Sequence, residues 1–247
     1  MIEHIVLGVV QGLTEFLPVS SSGHLAVLER LFGLQENGVA ISIVMHLGTL
    51  FAILVFFWRI ILEALCSRRM VFFVLIVTCI TGAIGVLGKD FFESIFTSVK
   101  AVAAGWIATG FILLLTRRFM ANQRTAVTVR DAVALGVAQA IAIIPGVSRS
   151  GITISTMLYR KIDKLTGFNI SFLVSIPAIA GAALLEAKDI HFAFSGEPVY
   201  MATGFACSFF AGLLALWLLK RVISKAKFHY FAYYCFAIAV ITLIWIK

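Results

Sequence analysis

Charged residues are scarce in this chain of 247 residues, which carries 20 Lys and Arg and 12 Asp and Glu. They make up 13% of the sequence, and hydrophobic residues make up 61%. Soluble globular domains carry about 25% charged residues, so the shortage excludes an ordinary water-soluble fold. The 22 Phe residues exclude a disordered chain. Because a chain this apolar cannot hide its surface from water in one core, the composition predicts an all-α integral membrane protein.

Cysteine is also rare, with 4 residues in the chain. These cysteines show no paired spacing, and three of them lie within apolar runs: Cys66, Cys79, Cys207 and Cys235. The pattern indicates small core residues rather than disulfides or metal ligands. The four tryptophans are expected in the interfacial belts of a membrane protein: Trp58, Trp106, Trp217 and Trp245.

Long apolar runs are plentiful. A transmembrane helix needs about 20 predominantly apolar residues, and six runs approach or reach that length: 39–57, 70–87, 102–115, 167–185, 199–219 and 228–246. The third is long enough only if it extends into residues 98–101. These runs predict six transmembrane helices.

Two further apolar stretches, 5–34 and 132–158, are interrupted by proline, serine and glycine. Each half has about 12 to 14 residues and reaches roughly 20 Å, which is short of a core of about 30 Å. We therefore expect two re-entrant helical hairpins. Irregular backbone survives at membrane depth only where protein or a water-filled cavity satisfies its polar groups, so both breaks are predicted to line one cavity.

The two broken stretches resemble one another. Four residues of the first recur in the second at an offset of 128: Leu7, Gly8, Val9 and Gln11. At an offset of 127, Pro18 and Ser21 recur as Pro145 and Ser148. The chain is interpreted as one membrane domain, 1–247, built from two repeats, 1–118 and 128–247. Because each repeat has three spans, the second copy is inverted, as in many transporters; chance similarity between apolar stretches is the alternative.

Basic residues divide unequally between the two faces of this topology. The net charge of +8 would suggest a nucleic-acid partner in a soluble protein, but here it is interpreted as orientation, because basic residues collect in cytoplasmic loops. One face carries five basic residues: Arg30, Lys89, Lys100, Lys188 and Lys247. The other carries fourteen, between Arg59 and Lys227. We expect a multi-pass protein of the inner (plasma) membrane with both termini outside the cytoplasm. The first hairpin then inserts from the outer face and the second from the inner face.

Polar side chains at membrane depth are expensive and point to function. The first hairpin carries Gln11 and Glu15 on one helix face, followed by Ser20, Ser21, Ser22 and His24. The second carries Ser148, Arg149, Ser150 and Thr153. An arginine with hydroxyls and helix N-termini suits a phosphate group. A carboxylate with phosphate oxygens suits a divalent cation, and Ser or His beside a base supplies a nucleophile.

Segments 11–24 and 145–153 resemble the two signature motifs of the undecaprenyl pyrophosphate phosphatases, the bacitracin-resistance family. The resemblance implies hydrolysis of a polyprenyl diphosphate carrier lipid to its monophosphate for cell-wall synthesis, with Mg²⁺ or Ca²⁺. It assigns Glu15 to metal binding or proton transfer, Ser21 or His24 to attack, and Arg149 to the diphosphate. The other polar residues of the motifs are then expected to contact substrate: Gln11, Ser20, Ser22, Ser148, Ser150 and Thr153. Gln11 departs from the pattern, because many members have Glu there; its amide can coordinate an ion but cannot act as a base.

Several alternatives stay open. Glu15 and Arg149 could form a purely structural ion pair, and the serines of segment 20–22 could serve only as caps of the helix that begins near His24. His46 is either a satisfied core histidine or a supporting residue of the site. The competing function is a lipid-phosphate transporter or flippase, with a helper protein that has lost catalysis as a third. Association into a homodimer is also left open.

Overall fold

The computed structural model describes residues 2–32, 38–96, 98–121, 123–189 and 198–245. Within these ranges the chain is all-helical, as predicted, with no β-strand beyond an isolated bridge between Arg124 and Ile162. Two short 3-10 turns accompany the α-helices, at Thr116–Phe119 and Phe228–Tyr230. The helices are α1 (Ile2–Phe16), α2 (Ser21–Phe32), α3 (Gly38–Phe56), α4 (Trp58–Cys66), α5 (Arg68–Leu87), α6 (Lys89–Phe96), α7 (Val99–Leu115), α8 (Val129–Ile141), α9 (Arg149–Tyr159), α10 (Lys164–Asp189), α11 (Pro198–Ser224) and α12 (Phe231–Trp245).

The long helices coincide with the predicted spans. Among the described residues, five segments are long and apolar enough to cross a membrane, on α5, α7, α10, α11 and α12. The bent pair of α3 and α4 makes up to six. The short third run reaches full length because the Ser98 hydroxyl caps α7 by accepting from the Ala101 N–H at 3.3 Å. That span then continues to Phe119, over 21 residues.

Helix α4 leaves the line of α3 at a bend of 73°. It has no buried residue, and Trp58, Leu62 and Leu65 are exposed. Arg59 and Glu63 alternate with these apolar side chains. An amphipathic helix of 9 residues is typical of a segment that lies along a membrane surface.

Four shorter helices form two pairs, α1 with α2 and α8 with α9, each packed together across its turn. They have 15, 12, 13 and 11 residues. At 1.5 Å per residue each is roughly 17 to 23 Å long, which is too short to cross the bilayer core. Outside its pair, α1 packs along α11 and α8 packs along α5. The α1–α11 approach is close, because a Cβ on Gly12 would lie 2.5 Å from the Ser208 carbonyl oxygen.

A buried carboxylate ties the ends of α8 and α9 together. Asp131, in the first turn of α8, is 0% exposed and accepts two hydrogen bonds from Arg124, at 2.9 and 3.1 Å. Arg160, just after α9, donates a third at 2.8 Å. Thr128 and Asp131 also form a reciprocal capping box at the start of α8. The base of the second helix pair is therefore fixed by charge-assisted hydrogen bonds.

Two predictions about small groups of residues were wrong in part. Trp58, Trp217 and Trp245 are exposed, as interfacial residues should be, but Trp106 is 0% exposed because it packs against the turn between α1 and α2. The four cysteines are free, as predicted, but only Cys235 is a core residue. Cys66 and Cys79 are exposed on α4 and α5.

Candidate active site

The turn between α1 and α2 presents Ser21 as the first residue of α2. Ser20, just before it, has a φ of 65°, a left-handed conformation that is uncommon for residues other than glycine. Its hydroxyl accepts from the Gly23 N–H at 3.4 Å and lies 3.2 Å from the Ser22 hydroxyl. Ser20 is therefore the cap of α2, and its backbone conformation sets the direction in which Ser21 leaves the turn.

The turn between α8 and α9 presents Arg149 in the same way. Ser148 caps α9 by accepting from the Gly151 N–H at 3.1 Å, and its hydroxyl lies 3.3 Å from that of Ser150. Ser20 and Ser148 are therefore equivalent caps. They are separated by 128 residues, the same offset that relates the matching residues of α1 and α8. At this offset the two turns have equal length between the matched residues, and the match of Pro18 and Ser21 with Pro145 and Ser148 is displaced from it by one residue. Ser21 instead corresponds to Arg149.

Both turns rest on α7. Trp106 Nε1 donates to the Val19 carbonyl of the first turn at 2.7 Å. Thr109 Oγ1 donates to the Gly146 carbonyl of the second turn at 3.1 Å and accepts from the Ser148 N–H at 3.0 Å. A Cβ on Gly105 would lie 2.3 Å from the Pro145 carbonyl oxygen, so only a glycine there allows the approach.

The two turns also touch each other. A Cβ on Gly151 of the second pair would lie 3.4 Å from Pro18 Cβ of the first turn, which is ordinary van der Waals contact. The two breaks, which were predicted to line one cavity, therefore lie next to each other in this structure. α7 supplies the common surface on which they do so.

Glu15 lies where the turns meet. Its side chain is 3% exposed, and Oε2 accepts from Ser21 Oγ at 2.5 Å and from Gln11 Nε2 at 3.1 Å. Arg149 Nη2 donates to Oε1 from the second turn. Burying a carboxylate is strongly unfavourable unless it is paired and hydrogen-bonded, and both conditions hold here.

His46 of α3 also reaches this carboxylate. Its Nε2 lies 3.8 Å from Glu15 Oε2, and its Nδ1 lies 2.8 Å from the Ser42 carbonyl oxygen. The carbonyl orients the ring, and the second nitrogen faces the carboxylate. Of the two interpretations left open by the sequence, the geometry favours the supporting residue. The presence of an ionisable side chain within a span was the sequence signal that could have identified His46. The sequence of α3 alone does not show which of its residues face α1.

The remaining predicted residues lie around this centre with partners of their own. Both ring nitrogens of His24 have partners away from Glu15, at the Ser20 carbonyl and the Tyr234 hydroxyl. Thr153 is 0% exposed, and its hydroxyl lies 2.6 Å from that of Ser171 on α10. The structure thus brings Gln11, Glu15, Ser21 and Arg149 together and sets His24 and Thr153 to the side.

Within the described residues, no group of three or more His, Cys, Asp or Glu side chains is arranged to hold a metal ion. One buried oxygen beside the carboxylate is nevertheless unpartnered. Gln11 is 0% exposed, and its Oε1 has no hydrogen-bond partner. Mg²⁺ is commonly held by one or two carboxylates together with phosphate oxygens, so a carboxylate and an amide oxygen fit such an ion once a phosphate is present.

This arrangement has the parts needed for attack on a phosphate. A hydroxyl directs its proton at a carboxylate, which is the geometry of an activated nucleophile. The guanidinium of Arg149 and the positive ends of α2 and α9 lie beside it, and all three favour a bound anion.

Comparison with known proteins points the same way. Residues 4–241 match the family described as bacitracin resistance protein BacA. The chain is 39% identical over 252 residues to an undecaprenyl-diphosphatase of Carboxydothermus hydrogenoformans, covering 97% of this chain and 95% of that protein. It is 35% identical over 248 residues to one of Halothermothrix orenii, covering 97% and 96%.

Proposed function

Because the chain belongs to the family of bacitracin resistance protein BacA, we propose that it is an undecaprenyl-diphosphatase of the cell membrane. It hydrolyses undecaprenyl diphosphate to the monophosphate carrier and inorganic phosphate, which supplies carrier lipid for cell-wall synthesis. The observation that carries this function is the buried carboxylate of Glu15, held at once by Ser21 of one turn and Arg149 of the other.

The resting ion pair explains how substrate binding and activation are coupled. The diphosphate competes with Glu15 for Arg149, since guanidinium binds phosphate and carboxylate in the same geometry. Once Arg149 turns to the diphosphate, Glu15 loses its strongest partner and keeps the hydrogen bond from Ser21. The oxygen that Arg149 leaves then becomes available to a cation, and the oxygen that faces Ser21 stays available to the serine proton.

We assign the attack to Ser21. Its Oγ bonds to the terminal phosphorus, its proton passes to Glu15, and the bond from that phosphorus to the bridging oxygen breaks. Glu15 returns the proton to the departing oxygen, and undecaprenyl monophosphate leaves. Water then attacks the phosphoserine and gives a proton to Glu15. The bond from phosphorus to Ser21 Oγ breaks, Glu15 returns the proton to Oγ, and inorganic phosphate leaves. The geometry argues against His24 in this role, because Tyr234 occupies its Nε2.

The other motif residues position the reactants. Ser20 and Ser148 cap the helices that begin at the site, and Ser22 and Ser150 bond to those caps. We infer that a divalent cation, Mg²⁺ or Ca²⁺, is held by Glu15 and the unpartnered Gln11 oxygen. Such an ion would offset the negative charge of the diphosphate.

We further propose that the two short helix pairs are re-entrant hairpins of an inverted repeat. Packing supports this, because α1 lies along α11 and α8 lies along α5, which is the exchange of partners that an inverted two-fold relation requires. Aromatic rings lie beside four cations of the basic face, as is typical of a membrane interface: Trp58 with Arg59, Phe56 with Lys220, Trp217 with Arg221 and Tyr230 with Lys227.

Phosphate release from a polyprenyl diphosphate by the purified protein in detergent tests the function. We expect release that EDTA abolishes and that added Mg²⁺ or Ca²⁺ restores. Glu15→Gln and Arg149→Ala should each lower turnover by about 100-fold or more, because they remove the base and the anion partner. Glu63→Gln, on the exposed face of α4, is the matched control and should be unaffected. A transporter or flippase would release no phosphate under any of these conditions.

A further inference from the structure

We propose that Tyr234 of α12 is a positioning residue that acts through His24 on the turn carrying Ser21. The inference rests on the proposed function and assigns a role to a side chain outside both motifs. The Tyr234 hydroxyl lies 2.8 Å from His24 Nε2. The two rings are nearly parallel, at 13°, with centroids 5.8 Å apart.

The hydrogen bonds of His24 select one tautomer. Its Nδ1 lies 2.7 Å from the Ser20 carbonyl oxygen. A carbonyl can only accept a hydrogen bond, so Nδ1 of the neutral ring carries the proton. Nε2 is then an acceptor, and the Tyr234 hydroxyl must donate to it. Tyr234 therefore stabilises the tautomer that can hold Ser20.

The Ser20 carbonyl connects His24 to Ser21, the proposed nucleophile. It belongs to the peptide group that joins Ser20 to Ser21, and Ser20 is in the left-handed conformation. Such a conformation persists only when its surroundings over-determine it. The carbonyl is held by the His24 ring and also accepts from the His24 backbone N–H at 3.4 Å. Turning that peptide group would move Ser21 away from Glu15.

The His24 ring also contacts α7. Trp106 packs against it edge to face, with centroids 5.2 Å apart. The ring thus contacts both α7 and α12, and Tyr234 supplies the polar contact. Loss of the Tyr234 hydroxyl should weaken the preference for the tautomer protonated at Nδ1 and leave the packing of the two rings in place.

Tyr234→Phe is the direct test, because it removes the hydroxyl and keeps the stacked ring. We expect kcat for phosphate release to fall about two- to tenfold, the worth of one hydrogen bond, with KM unchanged. Tyr233→Phe is the matched control on the same helix; Tyr233 is 61% exposed and should tolerate the change. Unchanged kcat in Tyr234→Phe would overturn the proposal.

Nitrogen NMR of protein with ¹⁵N-labelled histidine provides a second readout that does not depend on activity. The His24 signals are identified by their loss in His24→Gln. In the wild type they should report a single tautomer protonated at Nδ1, and in Tyr234→Phe a mixture of tautomers. An unchanged spectrum would overturn the route through His24 even if kcat fell. Failure of the proposed function would instead abolish wild-type phosphate release and leave the NMR result intact.

Discussion

The first turn of α2 places two serine hydroxyls side by side that differ in what they touch. Ser21 donates to Glu15, whereas Ser22 lies 3.2 Å from the Ser20 cap. At the scale of single residues, this difference separates the proposed nucleophile, Ser21, from a hydroxyl that supports the turn.

Ser21→Ala should therefore lower phosphate release by about 100-fold or more, and Ser22→Ala should retain most of it. Trapping with a polyprenyl diphosphate labelled in its terminal phosphate should yield a labelled protein from the wild type and none from Ser21→Ala. Full turnover by Ser21→Ala would show that water attacks the phosphorus in place of Ser21.

Sequence reasoning placed Glu15, Ser21 and Arg149 on two breaks that were expected to meet, because ionisable groups at membrane depth stand out in any apolar stretch. It could not place His46 or Tyr234. Both lie on other spans, and which face a span turns toward a hairpin depends on packing across the molecule. Nothing in the local pattern of those spans records it.

At the scale of elements, α7 is the helix on which both turns depend. Its Gly105 and Thr109 contact the second turn, and its Trp106 contacts the first. A shared support of this kind means that a change in the middle of one span reaches both halves of the site.

Gly105→Ala should test this dependence. The added methyl would lie 2.3 Å from the Pro145 carbonyl, so the turn must move, and overpacking of this kind costs about 1–3 kcal/mol. We expect a lower thermal midpoint in detergent together with loss of phosphate release. Gly82→Ala is the control, because a Cβ there meets nothing within 4 Å. Equal midpoints for the two variants would contradict the role of α7.

The carboxylate at the base of the second pair should make stability depend on pH. Burial tends to raise the pKa of Asp131, but hydrogen bonds from Arg124, Arg160 and Thr128 outweigh it and hold that pKa well below its usual range. A depressed pKa gives stability that is present above the ordinary aspartate value and is lost as pH falls below about 4.

Thermal midpoints of the wild type between about pH 3 and 7 should fall at the acidic end for this reason. Asp131→Asn should have a lower midpoint at neutral pH, because two arginines lose their partner. Its acid-dependent loss should also be smaller than that of the wild type. Parallel curves for the two proteins would show that Asp131 does not contribute.

Element boundaries were predictable where length and apolarity decide them, as in α5 and α11. The end of α3 was also predicted to within one residue, at 57 against Phe56, whereas the bend and the helix α4 that follow it were not predicted, because the apolar run does not record a change of direction. The Ser98 cap of α7 is a local signal, and it accounts for the span that the apolar run left short.

At the scale of the whole molecule, the two proposed repeats contribute different residues to the site. Gln11 has its counterpart in Gln139, but the position equivalent to Glu15 is Ile143. Gln139 donates to Thr81 on α5 instead of to a carboxylate. The second half therefore contributes the arginine and the first half the carboxylate that we propose as the base, so the proposed site needs both halves.

Orientation in the membrane is the prediction that belongs to this scale. Cys66 is exposed beside the basic residues of α4 and α5, and Ser94 lies on α6 at the predicted outer face. In proteins with one cysteine each, an impermeant maleimide added to intact spheroplasts should label Ser94→Cys. Cys66 should be labelled only after the membrane is permeabilised. The reverse pattern would place the termini in the cytoplasm.

The indole of Trp106 gives the molecule an internal optical reporter. Its three fellow tryptophans are 45% or more exposed, whereas Trp106 is sealed against the Val19 carbonyl. Once the others are replaced by phenylalanine, its emission should be blue-shifted at rest. Any displacement of the first turn, by ligand or by mutation, should change the emission wavelength and the fluorescence lifetime of Trp106. No added label is needed for this measurement.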